Sequence, residues 1–305
     1  MKAMVLRAPS DLVLDEVARP EPAPGQVLIR VTHSGVCGTD YKIYNGSIKV
    51  PYPLIPGHEM VGERVDTGER VIIDPETYDG TCFYCQKGLT NLCPNSTLIG
   101  RDVNGGFAEF LMVPATQVFT LPDSIDDRTA PMIQVLTTCL HAQRQVEIFP
   151  GDTVAVIGLG VTGQLHVQLA KARGARVIGI TIEQVRELTG GRGADLTIET
   201  TGILKQLESS VHMTRFGGKV LMFGIYTVKE GALPFYDLYF KEVSLISARV
   251  AKPEDYTACI ALVERGQVKL EPLVSDVMPL GELKAAINLL ASDSGQRMKI
   301  IMEHT

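Results

Sequence analysis

Residues 153–163 read TVAVIGLGVTG, an apolar run that passes into a glycine-rich turn. The start of this run has the length and composition of a buried β-strand, and residues 164–171 continue as a helix. A second apolar run, 175–180, follows that helix. A G-x-G-x-x-G pattern alone is a weak signal, but at a strand-to-helix turn of a βαβ unit it indicates a dinucleotide site.

The glycines of this turn predict where the cofactor binds. Without side chains they let the backbone approach a pyrophosphate, which the N-terminus of the following helix attracts. The candidate cofactor-binding residues of the turn are Gly158, Gly160, Val161 and Gly163. Ligands of such sheets gather at the carboxyl ends of the strands, which adds candidates for the nicotinamide side. These are Thr200, Thr201, Gly224 and Ile225, for which ordinary turn chemistry is an equally good explanation.

A second constellation lies in the first third of the chain, where residues 37–40 read CGTD and residues 57–59 read GHE. Thiolate, imidazole and carboxylate are the ligand types of a catalytic zinc that keeps one position open for water or an alcohol. The two adjacent ligands can reach one ion only if the chain turns, which Gly57 permits. The predicted ligands are Cys37, His58 and Glu59. A stray buried thiol and a loop histidine are the alternative interpretation.

A cluster of cysteines predicts a second metal site. Residues 79–93 read DGTCFYCQKGLTNLC. Two cysteines separated by two residues, with a third further on, are typical of a closed structural zinc lobe, and Asp79 continues the same spacing with an oxygen ligand. The predicted ligands are Asp79, Cys82, Cys85 and Cys93. Buried apolar thiols around an empty loop are the alternative.

Short strands and Pro/Gly turns between residues 27 and 114 predict a barrel-like β domain that carries both clusters on its loops. The order of CGTD, GHE, the cysteine lobe and the GGFAE of 105–109 resembles that of zinc-containing medium-chain alcohol and polyol dehydrogenases. The resemblance covers nearly the whole chain and is closest to the sorbitol and threonine dehydrogenase type. It implies an α/β fold in which a GroES-like β-barrel catalytic domain joins a Rossmann doubly wound parallel sheet.

The resemblance also implies how the chain divides. The catalytic GroES-like domain is expected at 1–123, with 273–305 returning to it, and the Rossmann domain at 124–272. The stretch 124–146 reads as a helix that begins with a capping serine and acidic residues. In relatives the strand that corresponds to 243–248 pairs subunits, so we expect a homo-oligomer, either a dimer or a tetramer.

Four residues near the first cluster receive roles from the resemblance. Thr39 would pass the hydroxyl proton of the substrate outward, although it could instead only hydrogen-bond its loop. Lys42 stands where many relatives have a histidine in that relay, so the exit route stays open. Gln134 stands where polyol dehydrogenases tend to have a glutamate. Because an amide carries no negative charge, Glu59 is the better third ligand, and Gln134 would orient the water of the metal. The predicted catalytic residues are Thr39, Cys37, His58 and Glu59.

The chain is shorter than the family pattern in two places. One strand–helix unit is missing near 181–182, and the loop near 65–68 is shortened. Either the printed sequence omits segments or the protein lacks them, and we favour omission because a true loss would leave a sheet edge unprotected. Glu183 is then not the acidic residue that holds the adenosine ribose, and the sequence does not separate NAD from NADP.

Composition narrows the classes of protein. A length of 305 residues predicts about two domains, and a net charge of −6 argues against a nucleic-acid surface. No apolar stretch reaches the ~18 residues that a membrane span needs, so no membrane partner is expected. Six cysteines, three of them clustered, are too few for a disulfide scaffold and indicate metal binding in the reducing cytoplasm.

Together these features predict a zinc-dependent oxidoreductase that transfers a hydride between a secondary alcohol and NAD or NADP. A catalytic zinc and a structural zinc are the expected metals. Resemblance to the polyol branch favours a sugar alcohol or related diol, while threonine and simple secondary alcohols stay open. The alternative is a zinc-free, quinone-reductase-like or dinucleotide-binding relative without alcohol dehydrogenase activity.

Overall fold

The computed structural model describes residues 1–178, 182–292 and 298–304. They form two compact units. Unit 1 holds Met1–Val135, Lys252–Glu264 and Leu270–Thr305, and unit 2 holds Leu136–Ala251 and Arg265–Lys269. The division after residue 135 lies later than the expected one after 123, and Lys252–Glu264 joins unit 1 although it was expected in the Rossmann domain.

The helices and strands are numbered along the chain. The first part of unit 1 contains β1 (Lys2–Ala8), β2 (Asp11–Glu16), β3 (Gln26–Val36), α1 (Gly38–Tyr44), β4 (Glu59–Arg64), β5 (Arg70–Ile73), β6 (Glu76–Thr77), α2 (Phe83–Gln86), β7 (Thr97–Leu98), β8 (Phe110–Pro114) and β9 (Val118–Thr120). The helix α3 (Met132–Arg144) spans the division, and unit 2 continues with β10 (Thr153–Ile157), α4 (Val161–Ala172), β11 (Arg176–Ile178), α5 (Ile182–Leu188), β12 (Ala194–Glu199), α6 (Leu204–Met213), β13 (Thr214–Met222), α7 (Phe235–Phe240) and β14 (Ser244–Ser247). Unit 1 then resumes with α8 (Pro253–Glu264), β15 (Val274–Pro279), α9 (Leu283–Ala291) and β16 (Lys299–Glu303).

The main sheet of unit 1 has the strand order β15-β16-β3-β4-β5-β9, with β8 pairing β3. Alternating side chains of its central strands, among them Ile29, Val31 and Met60, fill one apolar core. Each such side chain, when fully buried, contributes about 1.5–3 kcal/mol to stability. The sheet therefore gives the loops after β3 and before β4, which carry the CGTD and GHE motifs, a rigid base.

The C-terminal strand closes this sheet. β16 pairs antiparallel with β3, so that Ile300 lies opposite Val36. This register brings Lys299, the first residue of β16, beside the end of β3, directly before Cys37. A strand from the end of the chain thus contributes to the region of the first motif.

The helix predicted over 124–146 is shorter in the structure, where α3 begins at Met132. The carboxylate of Asp126 accepts a hydrogen bond from the Arg128 backbone, and its carbonyl accepts one from the Thr129 hydroxyl. These local bonds hold the chain in a turn, and Pro131 marks the start of the helix. The prediction of a helix starting at 124 was wrong, because it counted the turn as the first part of the helix.

The sheet of unit 2 is parallel and has the order β11-β10-β12-β13-β14. It has the doubly wound order of the predicted Rossmann sheet, and within the described residues β11 forms one edge. The loop that was predicted to be shortened near 65–68 is a tight hairpin between β4 and β5, in which Arg64 N donates to Glu69 O. None of the helices in the described ranges is both long and apolar enough to span a bilayer.

One buried acid in unit 1 provides a test of the fold. Asp74 is 6% exposed, accepts a hydrogen bond from Glu76 N, and lies 3.5 Å from the hydroxyl of Tyr256 on α8. Burial raises the pKa of Asp74 from 3.8 to about 7. Because the folded-state pKa lies above the unfolded one, this group favours the fold most below about pH 4 and progressively less up to about pH 7.

We expect Asp74→Asn to raise the free energy of unfolding by about 2–4 kcal/mol at pH 8 and to change it little near pH 4. The neutral amide keeps the volume and both acceptor contacts but carries no charge to bury. Denaturant unfolding at several pH values measures the difference between variant and wild type. Asp11→Asn, on the exposed Asp11, is the control and should give a pH-independent difference. An equally flat difference for Asp74→Asn would contradict the prediction.

Candidate active site

The first motif stands where β3 turns into α1. Cys37 has extended backbone geometry and precedes the first helical residue. Its backbone N donates to Asp40 Oδ2 at 2.8 Å, and Asp40 N donates back to the Cys37 carbonyl at 3.0 Å. This reciprocal pair fixes the half-buried thiol, and Thr39 lies half-buried in the same helical turn.

Asp40 also reaches the second motif. Its Oδ1 lies 3.5 Å from Nδ1 of His58, and both side chains are buried. Burial alone would lower the pKa of His58, but the Asp40 carboxylate and the Cys37 thiol hold this pKa well above its usual range. A carboxylate in this position orients an imidazole, as it does for metal-binding histidines in general.

Glu59 follows His58 as the first residue of β4 and is 1% exposed. The bend before it exists because Gly57 has φ +101° and packs against Phe107. Space for the carboxylate comes from Gly35 on the neighbouring strand, where an added Cβ would lie 2.1 Å from Glu59 Oε2. The two adjacent residues can therefore both reach the region of Cys37.

A lysine that the sequence analysis missed completes the cluster. Lys299 Nζ lies 2.8 Å from both carboxylate oxygens of Glu59 and donates to Val36 O at 3.2 Å. Burial would lower the pKa of Lys299, but Glu59 and Cys37 together raise it, so the ammonium stays charged. No spacing between motif residues could have revealed Lys299, because this lysine comes from the last strand of the chain.

The three predicted ligands fit a divalent metal. The candidate ligand atoms of Cys37, His58 and Glu59 all lie within 4.8 Å of one another. Thiolate, imidazole and carboxylate are zinc ligands, and a set of three leaves one position for a substrate oxygen. Gln134 lies half-buried in the first turn of α3, and its role beside the metal stays a prediction.

The cysteine lobe is also assembled. The ligand atoms of Asp79, Cys82, Cys85 and Cys93 lie within 4.8 Å of one another. Asp79 Oδ1 accepts from the backbone of Cys82 at 2.9 Å, and this bond and others keep the pKa of the Asp79 carboxyl well below its usual range. Burial and the neighbouring Cys82 thiol raise the pKa of Cys85 to about 12. Thiols this close together ionise together only when a cation is present, which is the condition that zinc supplies.

In unit 2 the glycine turn has the geometry of a phosphate site. Gly158 has φ +86°, and an added Cβ at Gly163 would lie 1.8 Å from Gly158 O, so helix and strand pack as only glycine allows. An added Cβ at Gly160 would meet no atom within 4 Å, which leaves that backbone open to a ligand. Val161 begins α4 directly behind this opening.

The predicted nicotinamide-side residues lie at the ends of β12 and β13. Thr200 Oγ1 donates to Ile157 O at 2.8 Å and to Gly158 O at 3.1 Å, so it ties β12 to the glycine turn. Thr201 follows it, and Ile225 projects outward with 79% exposure. The end of the second strand and a ribose-binding acid were predicted near residues 179–181, which lie outside the described residues, and Glu183 lies in α5.

Comparison with known proteins identifies the family. Residues 23–123 match the model of the alcohol dehydrogenase GroES-like domain, and residues 181–265 match the model of the zinc-binding dehydrogenases. A sorbitol dehydrogenase of Halalkalibacterium halodurans is 31% identical over 93% of this chain and 94% of its own length. An NAD-dependent alcohol dehydrogenase of Sulfolobus acidocaldarius is 30% identical over 95% of this chain and 96% of its own.

A solved structure of a related protein has the same fold. A zinc-binding dehydrogenase of Sinorhizobium meliloti 1021 bound to NADP superposes with a TM-score of 0.90 at 28% identity, covering 99% of this chain and 98% of that one. The predicted α/β fold, a GroES-like domain with a Rossmann domain, is confirmed by these matches. With its two family domains and relatives aligned over nearly the full length, the chain belongs to the zinc-containing medium-chain alcohol and polyol dehydrogenase family.

Proposed function

We propose that this protein transfers a hydride between a secondary alcohol of the polyol type and NAD or NADP, with zinc at the Cys37 cluster. The observation that carries the proposal is the meeting of thiol, imidazole and carboxylate within 4.8 Å, in a chain that also has the glycine turn. Zinc bound there would act as a Lewis acid that stabilises the alkoxide form of the substrate. The assembled ligand set disfavours the zinc-free alternative.

The protein residues supply position and charge. Cys37 and His58 would hold the metal, with Asp40 beside the imidazole to orient it. Glu59 would add a negative charge that it shares with Lys299, so it would bind the metal more weakly than a free carboxylate. Because Lys299 offsets part of the charge of Glu59, more of the positive charge of the zinc would remain to polarise the substrate oxygen.

Thr39 has the position for proton transfer. It lies two residues after Cys37 in the first turn of α1 and is half-buried, so its hydroxyl can accept the proton of the substrate and pass it outward. Lys42 follows one turn later on the same helix. This succession supports a relay along α1.

The substrate class rests on the relatives. A sorbitol dehydrogenase is among the proteins most similar to this chain over its full length, and others act on galactonates and arabitol. The substrates in these names share a chain of neighbouring hydroxyl groups that includes secondary alcohols. One relative is named for NAD, one solved neighbour is bound to NADH and one is bound to NADP, so the proposal includes both cofactors.

The lobe of Asp79, Cys82, Cys85 and Cys93 would hold a second, structural zinc. Four ligands close the coordination sphere, so this ion would stabilise the loop and take no part in the reaction. The aspartate is an acceptable oxygen ligand for zinc, and its low pKa keeps it ionised.

A homo-oligomer is also proposed, formed through unit 2. Among the residues that the structure describes, β14 pairs only with β13 and forms the other edge of the sheet. Five exposed aromatic rings lie on α7 and on β13: Phe216, Phe235, Tyr236, Tyr239 and Phe240. An open strand edge beside exposed aromatic rings is typical of a subunit interface.

Metal analysis combined with turnover tests the function. We expect about two zinc ions per chain in the wild type, about one in Cys37→Ser and about one in Cys85→Ser, because each variant removes a ligand of a different site. Only Cys85→Ser should keep turnover of the polyol panel, followed by the absorbance of the reduced nicotinamide. Sorbitol, arabitol, threonine and butan-2-ol with both cofactors form that panel. A wild type without zinc, or without turnover on any of these substrates, would contradict the proposal.

A further inference from the structure

A fully buried carboxylate ends β12 and serves none of the roles described above. Glu199 has 0% exposure and receives four hydrogen bonds. Its Oε1 accepts from the backbone N of Thr201 at 2.6 Å and from the hydroxyl of the same residue. Its Oε2 accepts from Gly202 N at 3.0 Å and from the hydroxyl of Tyr226 at 2.5 Å.

These four donors are neutral, so the buried charge is balanced by oriented dipoles. Three of them belong to the turn directly after β12, and only the Tyr226 hydroxyl comes from the loop after β13. The Glu199 carbonyl extends the link, because it accepts from Phe223 N and Gly224 N at 2.9 Å each. One residue therefore joins the ends of two neighbouring strands.

The backbone of 224–226 packs tightly against the turn after β12. An added Cβ at Gly224 would lie 2.1 Å from Gly202 N, and one at Gly202 would lie 2.5 Å from Ile225 O. The backbone of 224–226 thus lies directly on the turn that follows β12. Tyr226 is half-buried, whereas the side chain of Ile225 before it is 79% exposed.

We propose that Glu199 and Tyr226 are positioning residues that hold the backbone of 224–226 in place for the nicotinamide end of the cofactor. The inference rests on the proposed function, because it assumes that these strand ends form the nicotinamide side of the site. A backbone segment that is fixed before binding lowers the entropy cost of binding, and a hydrogen bond to a charged group is stronger than one between neutral groups. Sequence reasoning did not reach these residues, because a buried glutamate in a strand has no distinctive spacing.

Tyr226→Phe tests the inference by removing one hydroxyl group while keeping the ring. We expect the dissociation constant of the reduced nicotinamide cofactor to rise about tenfold, as the loss of one hydrogen bond to a charged group predicts. Fluorescence titration measures this constant on the zinc-loaded protein. The KM for the cofactor should rise in parallel, while the KM for the alcohol and the zinc content stay unchanged.

Two further variants keep the test decisive. Glu199→Gln keeps the volume but removes the charge that all four donors share, so it should also weaken cofactor binding. Because Glu199 and Tyr226 act on each other, the loss in the double variant should be smaller than the sum of the two single losses. Tyr52→Phe, on a half-exposed tyrosine of unit 1, is the matched control and should bind like the wild type. If Tyr226→Phe lowers the thermal midpoint but leaves cofactor affinity unchanged, the bond serves folding only and the inference is wrong. If Tyr226→Phe does not fold, Glu199→Gln alone decides between the two outcomes.

The inference and the proposed function fail in different ways. A wild type that binds neither NADH nor NADPH would refute the proposed function. A wild type that binds one of them, together with a Tyr226→Phe variant that binds it equally well, would refute only the inference.

Discussion

Replacing Cys37 with serine is expected to reduce turnover about 1000-fold or more, while the affinity for the nicotinamide cofactor stays within about twofold of the wild type. A serine hydroxyl is a poor zinc ligand at neutral pH, so the variant loses the ion that stabilises the alkoxide. Such a loss corresponds to about 4 kcal/mol of transition-state stabilisation. Steady-state kinetics measures turnover, and fluorescence titration measures cofactor affinity. We expect only turnover to change, because Cys37 belongs to unit 1 and the glycine turn to unit 2.

Cys139→Ser is the matched control for this variant. Cys139 is a fully buried thiol of α3 outside both ligand clusters, and its Sγ lies 3.8 Å from Thr162 O, which a serine hydroxyl can also reach. This control should keep both turnover and zinc. Turnover by Cys37→Ser that equals that of Cys139→Ser would remove the catalytic assignment of the thiol.

The largest effect on stability is expected from Lys299→Met. The substitution leaves the Glu59 carboxylate buried and unpaired, which typically costs about 3–5 kcal/mol of the free energy of unfolding. The loss should increase after the metal is removed with a chelator, because zinc is the other cation expected to neutralise Glu59. Denaturant unfolding of unit 1, with and without chelator, measures both effects.

A surface ion pair provides the comparison. Lys219 lies 3.5 Å from Glu147, and both side chains are substantially exposed, so Lys219→Met should cost only about 0–1 kcal/mol. In the double variant Glu59→Gln, Lys299→Met, no charge of the pair remains buried, and part of the lost stability should return. If Lys299→Met lowers the free energy of unfolding no more than Lys219→Met does, Lys299 is not needed to neutralise the buried Glu59 carboxylate.

The features that could be predicted from the sequence are those that depend on neighbouring residues. The strand, the glycine turn and the helix of 153–172 depend on residues next to one another, so their periodicity and backbone freedom are visible in the sequence. The candidate ligand sets could also be proposed from the sequence, because zinc chemistry accepts few residue types and the cysteine spacing is characteristic. The prediction of the helix start was wrong for the opposite reason, because whether Ser124 and Asp126 begin a helix or form a turn depends on the hydrogen bonds that they finally make.

By itself, then, the sequence determined the two domain types, the glycine turn, and the residues Cys37, His58 and Glu59 as ligand candidates. Only the tertiary structure decided the partners that set the charge of the site. Lys299 lies 240 residues from Glu59 along the chain, and Tyr226 lies 27 residues from Glu199. The physical reason is that a buried charge is balanced by whichever donor the sheet register brings within about 3 Å, and pairing between distant strands leaves no local spacing in the sequence.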